Sequence, residues 1–340
     1  MKRFGPLILT LSLVLSASRA WAEDEPWDHD YFLERSYFVV YPLFLLGGEK
    51  TLPIIVEGSL TPNVFFYSNL RDLGLSAGWA FSLSLAPRID ARMYNVFSAP
   101  VRAPSFRPSL NLQVFHQTIQ STQGQANSGR LINLQMIGEH YSNGKTGCFL
   151  ASEELVGESG EEECVSRDGY TGSSDAINKD DGSFTTNNLG LRVGVLFMTE
   201  FQRTRLTRSH EIGLTAMFYL PGRGGGIKPD QRALYGDSQY RLRYVFEDFV
   251  SDERITAGYL RIQGTAQFMQ GTGAEVFPWG LTAEVSRSFG RAGGVAPYLR
   301  MYFGHDHYNI RFDERIWMLG AGLSWSIPDR NHFRPKVQSE

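Results

Sequence analysis

The sequence runs to 340 residues, with 33 Lys and Arg against 36 Asp and Glu and a formal net charge of -3. That balance excludes the basic excess expected of a nucleic-acid-binding protein, and a mean hydropathy of -0.24 excludes a bundle of membrane helices. Aromatics at 13% and 35 glycines are high for a helical protein, whereas strands whose alternate residues face water average to this hydropathy.

Residues 1–22 have the pattern of a secretory signal peptide. Lys2 and Arg3 give the positive start, 6–15 an apolar run too short to span a bilayer, and Ala20-Trp21-Ala22 a small-residue cleavage site. The expected mature chain, 23–340, begins with the acidic Glu23-Asp24-Glu25 and contains no further stretch long and apolar enough for a transmembrane helix.

From there the chain reads as one strand after another. Alternating segments fall near 36–45, 64–69, 79–85, 89–96 and 110–117, and then at 132–144, INLQMIGEHYSNG. In that last segment Ile132, Leu134, Met136, Gly138, His140 and Ser142 share one face; Asn133, Gln135, Glu139 and Tyr141 take the other. A long loop, 144–186, follows. It holds both cysteines, Cys148 and Cys164, which are expected to pair in an oxidising compartment and to staple an external loop. Closing a loop of that size is worth about 3 kcal/mol in the chain-entropy model.

Beyond the loop, 187–197 sets Leu189, Leu191, Val193, Val195 and Phe197 opposite Asn188, Gly190, Arg192 and Gly194. Weaker segments lie near 211–219, 240–246, 255–268 and 297–303; stronger ones span 279–289 and 317–325. The last has Trp317 and Trp325 at the two ends of its apolar face, as expected where strand ends meet two headgroup layers. These are roughly thirteen candidates; setting aside the first leaves about twelve, an even number such as bacterial barrels have. The expected architecture is all-β: a single transmembrane antiparallel β-barrel of about 12 strands, followed by a polar tail, 328–340, without a terminal aromatic residue. A soluble β-sandwich would also alternate. The signal pattern, the terminal tryptophans and the small Gly and Ser positions favour the barrel.

The chemistry is concentrated in His140, Ser142 and Asn187. A serine hydroxyl needs a neighbouring imidazole to take its proton, and that imidazole needs a partner to orient its second nitrogen. His140 and Ser142 lie two residues apart on one apolar face, and Asn187 begins the next strong strand on the matching face. Against this stands the bland alternative, a chance triplet with an interfacial histidine.

The segment GEHYSNGK, 138–145, resembles the active-site strand of the outer-membrane phospholipase A family. Weaker likenesses follow in the same order. They are 98–112 with Pro100, Arg102 and Pro108; Asn187-Asn188-Leu189 to Arg192; Pro229-Asp230 with Tyr235 and Tyr240; Tyr308-Asn309; and 317–325. The resemblance implies a barrel that hydrolyses acyl esters of membrane phospholipids in the outer membrane, with Ser142 as nucleophile, His140 as base, Asn187 as orienting residue and the Ser142 backbone N–H in the oxyanion hole. It also implies calcium and a homodimer. The sequence departs from the family at the metal: Lys145-Thr146-Gly147 offers no carboxylate, leaving the Lys145 and Gly147 backbone and Ser98, beside Ala99, as candidate ligands. The acidic run Glu153, Glu154, Glu158, Glu161, Glu162 and Glu163 offers oxygen ligands, or is a solvated charge run.

Two other functions remain open. His140-Tyr141-Ser142-Asn143 also resembles the active strand of lipid A deacylases, and a porin or surface barrel with a decayed site is a third. Gly224, Gly225 and Gly226 form no phosphate loop, because no Lys-Ser/Thr follows them. His305 and His307 are a possible metal pair or a strand-end tip.

Overall fold

The computed structural model describes residues 32, 34–41, 46–48, 54–73, 76–95, 101, 103–122, 125–157, 163–166, 177–179, 181–202, 205–222, 226–250, 258–287, 295–308, 311–312 and 314–325. The signal pattern, the polar tail, Ser98, Ala99 and Glu158, Glu161 and Glu162 lie outside them.

Sixteen strands build the wall and one loop hairpin. They are β1 (Ser36–Val40), β2 (Leu46–Gly48), β3 (Ile54–Leu60), β4 (Val64–Ser68), β5 (Gly78–Tyr94), β6 (Ser105–Thr122), β7 (Gln125–Ser142), β8 (Glu153–Val156), β9 (Glu163–Ser166), β10 (Thr185–Gln202), β11 (Arg205–Tyr219), β12 (Ser238–Val250), β13 (Gly258–Gln270), β14 (Trp279–Arg287), β15 (Val295–His305) and β16 (Arg315–Trp325). Helices α1 (Leu70–Leu73) and α2 (Pro229–Tyr235) are short. Apart from the β8–β9 hairpin, each strand pairs antiparallel with its neighbours, and β1 returns to pair with β16. β1 and β2 lie end to end along β16, and β3 and β4 end to end along β5. The result is a closed barrel of twelve strand positions.

The count agrees with the sequence reading, but the membership differs in three places. The segment set aside, at 36, supplies the strand that closes the ring, with Ser36 opposite Trp325 and Val40 opposite Ala321. Ile54–Leu60 was missed because Ile54, Ile55 and Val56 run together without alternation. The segments 79–85 and 89–96 are one strand, β5. Pro87 looks like a break, but it stands opposite Pro108 of β6, and the β5–β6 register runs on through both residues.

Alternation sets the two faces. On β10, Leu189, Leu191 and Val193 are about half exposed, whereas Arg192 is 7% exposed. The apolar residues therefore point outward and the polar ones into the lumen. No helix among the described residues is long and apolar enough to cross a membrane; the closed wall satisfies its backbone hydrogen bonds internally and does the crossing. This is an outer-membrane β-barrel of the Gram-negative kind. One end has two-residue connections, after Thr122 and after Gln202, and both ends of the strand ring; the other carries the long loops. Short periplasmic turns and long external loops assign the second end to the outside.

The lumen is crossed by ion pairs. Glu34, ahead of β1, reaches Arg88 at 2.7 Å and Arg241 at 2.8 Å, from strands on nearly opposite sides of the ring. Phe32 is 2% exposed and packs with Phe115, Leu131, Leu196 and Met198. Gly194 leaves the space for it, since a Cβ there would lie 2.4 Å from the Phe32 ring. A cavity of about 130 Å³ remains, with Arg88, Arg107, Arg241 and Arg300 in its lining. At the external end Tyr141, Phe149, Phe184, Ile227, Tyr235 and Phe312 form an apolar cap.

Cys148 and Cys164 form a disulfide, and Lys179 pins the same loop to Glu314 at 2.9 Å. Cys148→Ser is expected to cost the loop about 3 kcal/mol of ordering while leaving the barrel folded. Limited proteolysis checks this: cleavage should appear within 149–178, with the heat-modifiable barrel band unchanged.

Candidate functional site

β7 and β10 carry the site. The register places Asn187 directly opposite His140 and Thr185 opposite Ser142. The side chains of the first pair meet across the ladder: His140 Nδ1 lies 2.8 Å from Asn187 Oδ1. An oxygen at that point accepts, so Nδ1 is the donor of this pair and Nε2 is the nitrogen turned away from Asn187. His140 is exposed and Ser142 partly so; by strand alternation both stand on the outer wall with Leu134 and Met136. Two of the three sequence-predicted residues are therefore in hydrogen-bond contact, and the third shares their face.

The residues after Ser142 explain the Ser-Asn-Gly pattern physically. Asn143 is 2% exposed. Its Nδ2 donates to the Gly182 carbonyl at 2.8 Å, and its Oδ1 accepts from Phe184 N at 3.0 Å and Lys145 N at 3.3 Å. It thus ties both ends of the long loop together immediately beyond the site. Gly144 has φ of 64°, where a side chain is strained, and a Cβ would also crowd the Phe106 ring at 3.2 Å. Strand, side-chain staple and left-handed turn follow one another in three residues.

Depth follows from spacing. Outward positions on β7 run from Arg130 through Ile132, Leu134 and Met136 to His140. Ten residues at roughly 3.3 Å each give roughly 33 Å of strand, or roughly 25 Å across a membrane at the usual barrel tilt, the height of the apolar band. The Arg130 guanidinium lies over the Phe197 ring at 5.5 Å, a cationic and aromatic pair of the sort found at the inner interface. His140 then sits at the outer-leaflet interface, where polar groups face headgroups and the first ester carbons rather than bare hydrocarbon.

Solved structures resemble this chain in architecture. Outer membrane phospholipase A from Escherichia coli is 12% identical at a TM-score of 0.49, over 91% of this chain and 96% of that one. The Salmonella typhi outer membrane phospholipase dimer with bound calcium is 14% identical at 0.45, over 88% and 94%. The translocator domain of the autotransporter NalP from Neisseria meningitidis is 8% identical at 0.31, over 94% and 95%. No protein-family model matches the chain, and no curated protein matches it. The likeness concerns the barrel and extends no further.

The candidate calcium ligands fare less well. The Gly147 carbonyl accepts from Ser183 N at 2.7 Å, and Gly147 N donates to the Asp181 carbonyl at 3.1 Å. The sequence reading missed Asp181, which arrives from the far end of the loop, but its carboxylate is already paired with Lys145 Nζ at 3.1 Å. One carboxylate beside an ammonium is a poor start for a cation that takes six to eight oxygens. Among the described residues the only group of three candidate ligands is Cys148, Glu153 and Cys164, whose sulfurs are joined to each other. Among the described residues of the acidic run, Glu153, Glu154 and Glu163 form no further group of three such ligands.

His305 and His307 are not a metal pair. His305 ends β15, fully buried, with Nδ1 on the Trp279 carbonyl at 3.1 Å and Nε2 beside Gln267 at 3.2 Å. His307 Nε2 lies 3.4 Å from the Arg92 guanidinium and 4.0 Å from Glu57 Oε2, engaged in the ion-pair network of the lumen.

Proposed function

We propose that this chain is an outer-membrane serine ester hydrolase that cleaves acyl esters of phospholipids lying against its outer wall. The observation that carries the reading is the 2.8 Å contact between His140 Nδ1 and Asn187 Oδ1, on the lipid-facing side of β7 and β10, with Ser142 next along that face. In this mechanism Ser142 Oγ attacks the ester carbon and His140 Nε2 takes its proton. Asn187 fixes the ring and faces the imidazolium that forms. The oxyanion would be received by backbone N–H groups at the strand end. The N–H groups of Asn143 and Lys145 are committed to Phe184 O and Asn143 Oδ1. Ser142 is itself paired in the ladder with Phe106 and Thr185, which leaves the Gly144 N–H as the candidate. The acyl-enzyme is then released by water, with His140 returning the proton.

Calcium, bound in the Salmonella typhi dimer, has no role in this mechanism, because the described surroundings of Ser142 do not suit it. Hydrolysis is expected to survive excess chelator unchanged. A pore is disfavoured by the ion pairs across the lumen and by the buried Phe32. The deciding experiment incubates purified protein with phospholipid mixed micelles and compares wild type with Ser142→Ala, each with calcium and with chelator. Equal fatty-acid release from the two proteins would sink the reading. Release from lipid A in place of phospholipid would move the activity to the deacylase class.

A further inference from the structure

Beside the His140–Asn187 pair, on the β6 side, the backbone ladder is thinned. β6 and β7 are paired from Thr122 opposite Gln125 up to Ser109 opposite Glu139, and again at Phe106 opposite Ser142. Between these points Arg107 and Pro108 face Tyr141 and His140 without ladder pairing. Pro108 has no N–H to donate, so the β6 ladder lacks the bond that the His140 carbonyl would accept there, although it is paired again at Glu139 and Ser142.

Side chains occupy the gap. Arg107 Nη2 donates to Glu139 Oε1 at 3.0 Å, and its guanidinium lies over the Tyr141 ring at 4.8 Å. Glu139 and Tyr141 are the two residues flanking His140. Asn188, which follows Asn187, donates from Nδ2 to the same Glu139 Oε1 at 3.1 Å. Tyr141 in turn meets Phe184 edge-on at 4.9 Å, in the external cap. One guanidinium thus grips both neighbours of the proposed base and, through Glu139, the neighbour of its orienting amide. Arg107 and Glu139 side chains are 14% and 13% exposed, in the lumen and away from lipid.

We propose that Arg107 is a positioning residue for the site, a side-chain clamp on the inner wall that reinforces the thinned ladder and keeps His140 in register with Asn187 on the outer wall. The catalytic part of this inference rests on the hydrolase reading; the clamp itself does not. An arginine is required because its planar fork both pairs with a carboxylate and stacks on a ring, which a lysine cannot do together.

The test uses the full-length protein in detergent micelles, with Arg107→Leu, Arg107→Lys and Glu139→Gln. Amide hydrogen exchange is read on peptides covering 138–144 and, as an internal reference, the β12–β13 hairpin. Arg107→Leu is expected to speed exchange about tenfold at 138–144 and to leave the reference unchanged. It is also expected to lower kcat about tenfold with KM unaltered, as a misplaced base does. Arg107→Lys and Glu139→Gln, each keeping part of the grip, should fall between. Unchanged exchange at 138–144, or a rise shared equally by the reference hairpin, overturns the clamp. Should wild type release no fatty acid, the hydrolase reading fails while the exchange comparison still decides the clamp. If Arg107→Leu does not fold, Glu139→Gln carries the same comparison.

Discussion

Ser142→Ala is expected to reduce fatty-acid release to the level of buffer, a loss on the order of 10⁴-fold or more, because Ser142 is the hydroxyl beside His140 on its own strand that the proposed mechanism acylates. Asn187→Ala should be milder and more instructive. On the hydrolase reading, the imidazole that is to accept the serine proton starts neutral, and its bond to Asn187 joins two neutral groups. In the transition state the imidazole is a cation, and the same bond becomes charge-assisted, worth roughly 1.5–3 kcal/mol. That gain exists only in the transition state, so it appears in kcat: a fall of about 10–100-fold with KM unchanged. Steady-state hydrolysis of a soluble ester alongside micellar phospholipid separates this from lost membrane contact. An Asn187→Ala enzyme with full kcat would mean that the 2.8 Å contact is incidental.

The outward chemistry was legible in the sequence because strand alternation converts spacing into facing. His140 and Ser142 share a face by period alone. Asn187 follows once β7 and β10 are recognised as consecutive wall strands, since a loop folded back on itself leaves them neighbours. The inward chemistry was not legible. Arg107, Glu139 and Asn188 meet only through the register of three strands, and nothing local in Arg107-Pro108 announces that the proline opens a gap opposite His140. Asp181 was hidden for the same reason: 36 residues separate it from Lys145, and the Asn143 staple and the Gly147 backbone bonds that bring the two loop ends together are long-range. β5 and β3 misled the reading in complementary ways. A proline inside a wall strand looked like a turn, and an unbroken Ile54-Ile55-Val56 run hid a strand.

Glu57→Leu is expected to be the most destabilising change in the wall away from the site. Glu57, on β3, accepts from Tyr37 OH of β1 at 2.8 Å, from Arg92 of β5 and from Arg300 of β15. These partners straddle the seam at which β16 meets β1. Arg300 reaches across because β16 presents Gly320 beside it in the register, and Gly320 also leaves room for Val39 and Tyr41. The side chains of Glu57, Arg92 and Arg300 are 2%, 0% and 6% exposed, so water screens little of the loss. Removing the carboxylate leaves Arg92 with Asp306 as its one carboxylate and the His307 ring at 3.4 Å, and Arg300 with Glu284 at 3.5 Å and the Tyr37 hydroxyl at 2.6 Å. Breaking a buried pair from one side costs about 3–5 kcal/mol, whereas removing both partners costs far less. Glu57→Leu should therefore lower the unfolding free energy in urea by about that amount, and Glu57→Leu with Arg300→Leu should recover much of it. Folded Glu57→Leu protein should keep its full kcat, since β3 lies three strands from β7 around the ring. A single variant costing under about 1 kcal/mol would place this network with the screened ion pairs of a surface and transfer the work of closing the seam to the β1–β16 ladder.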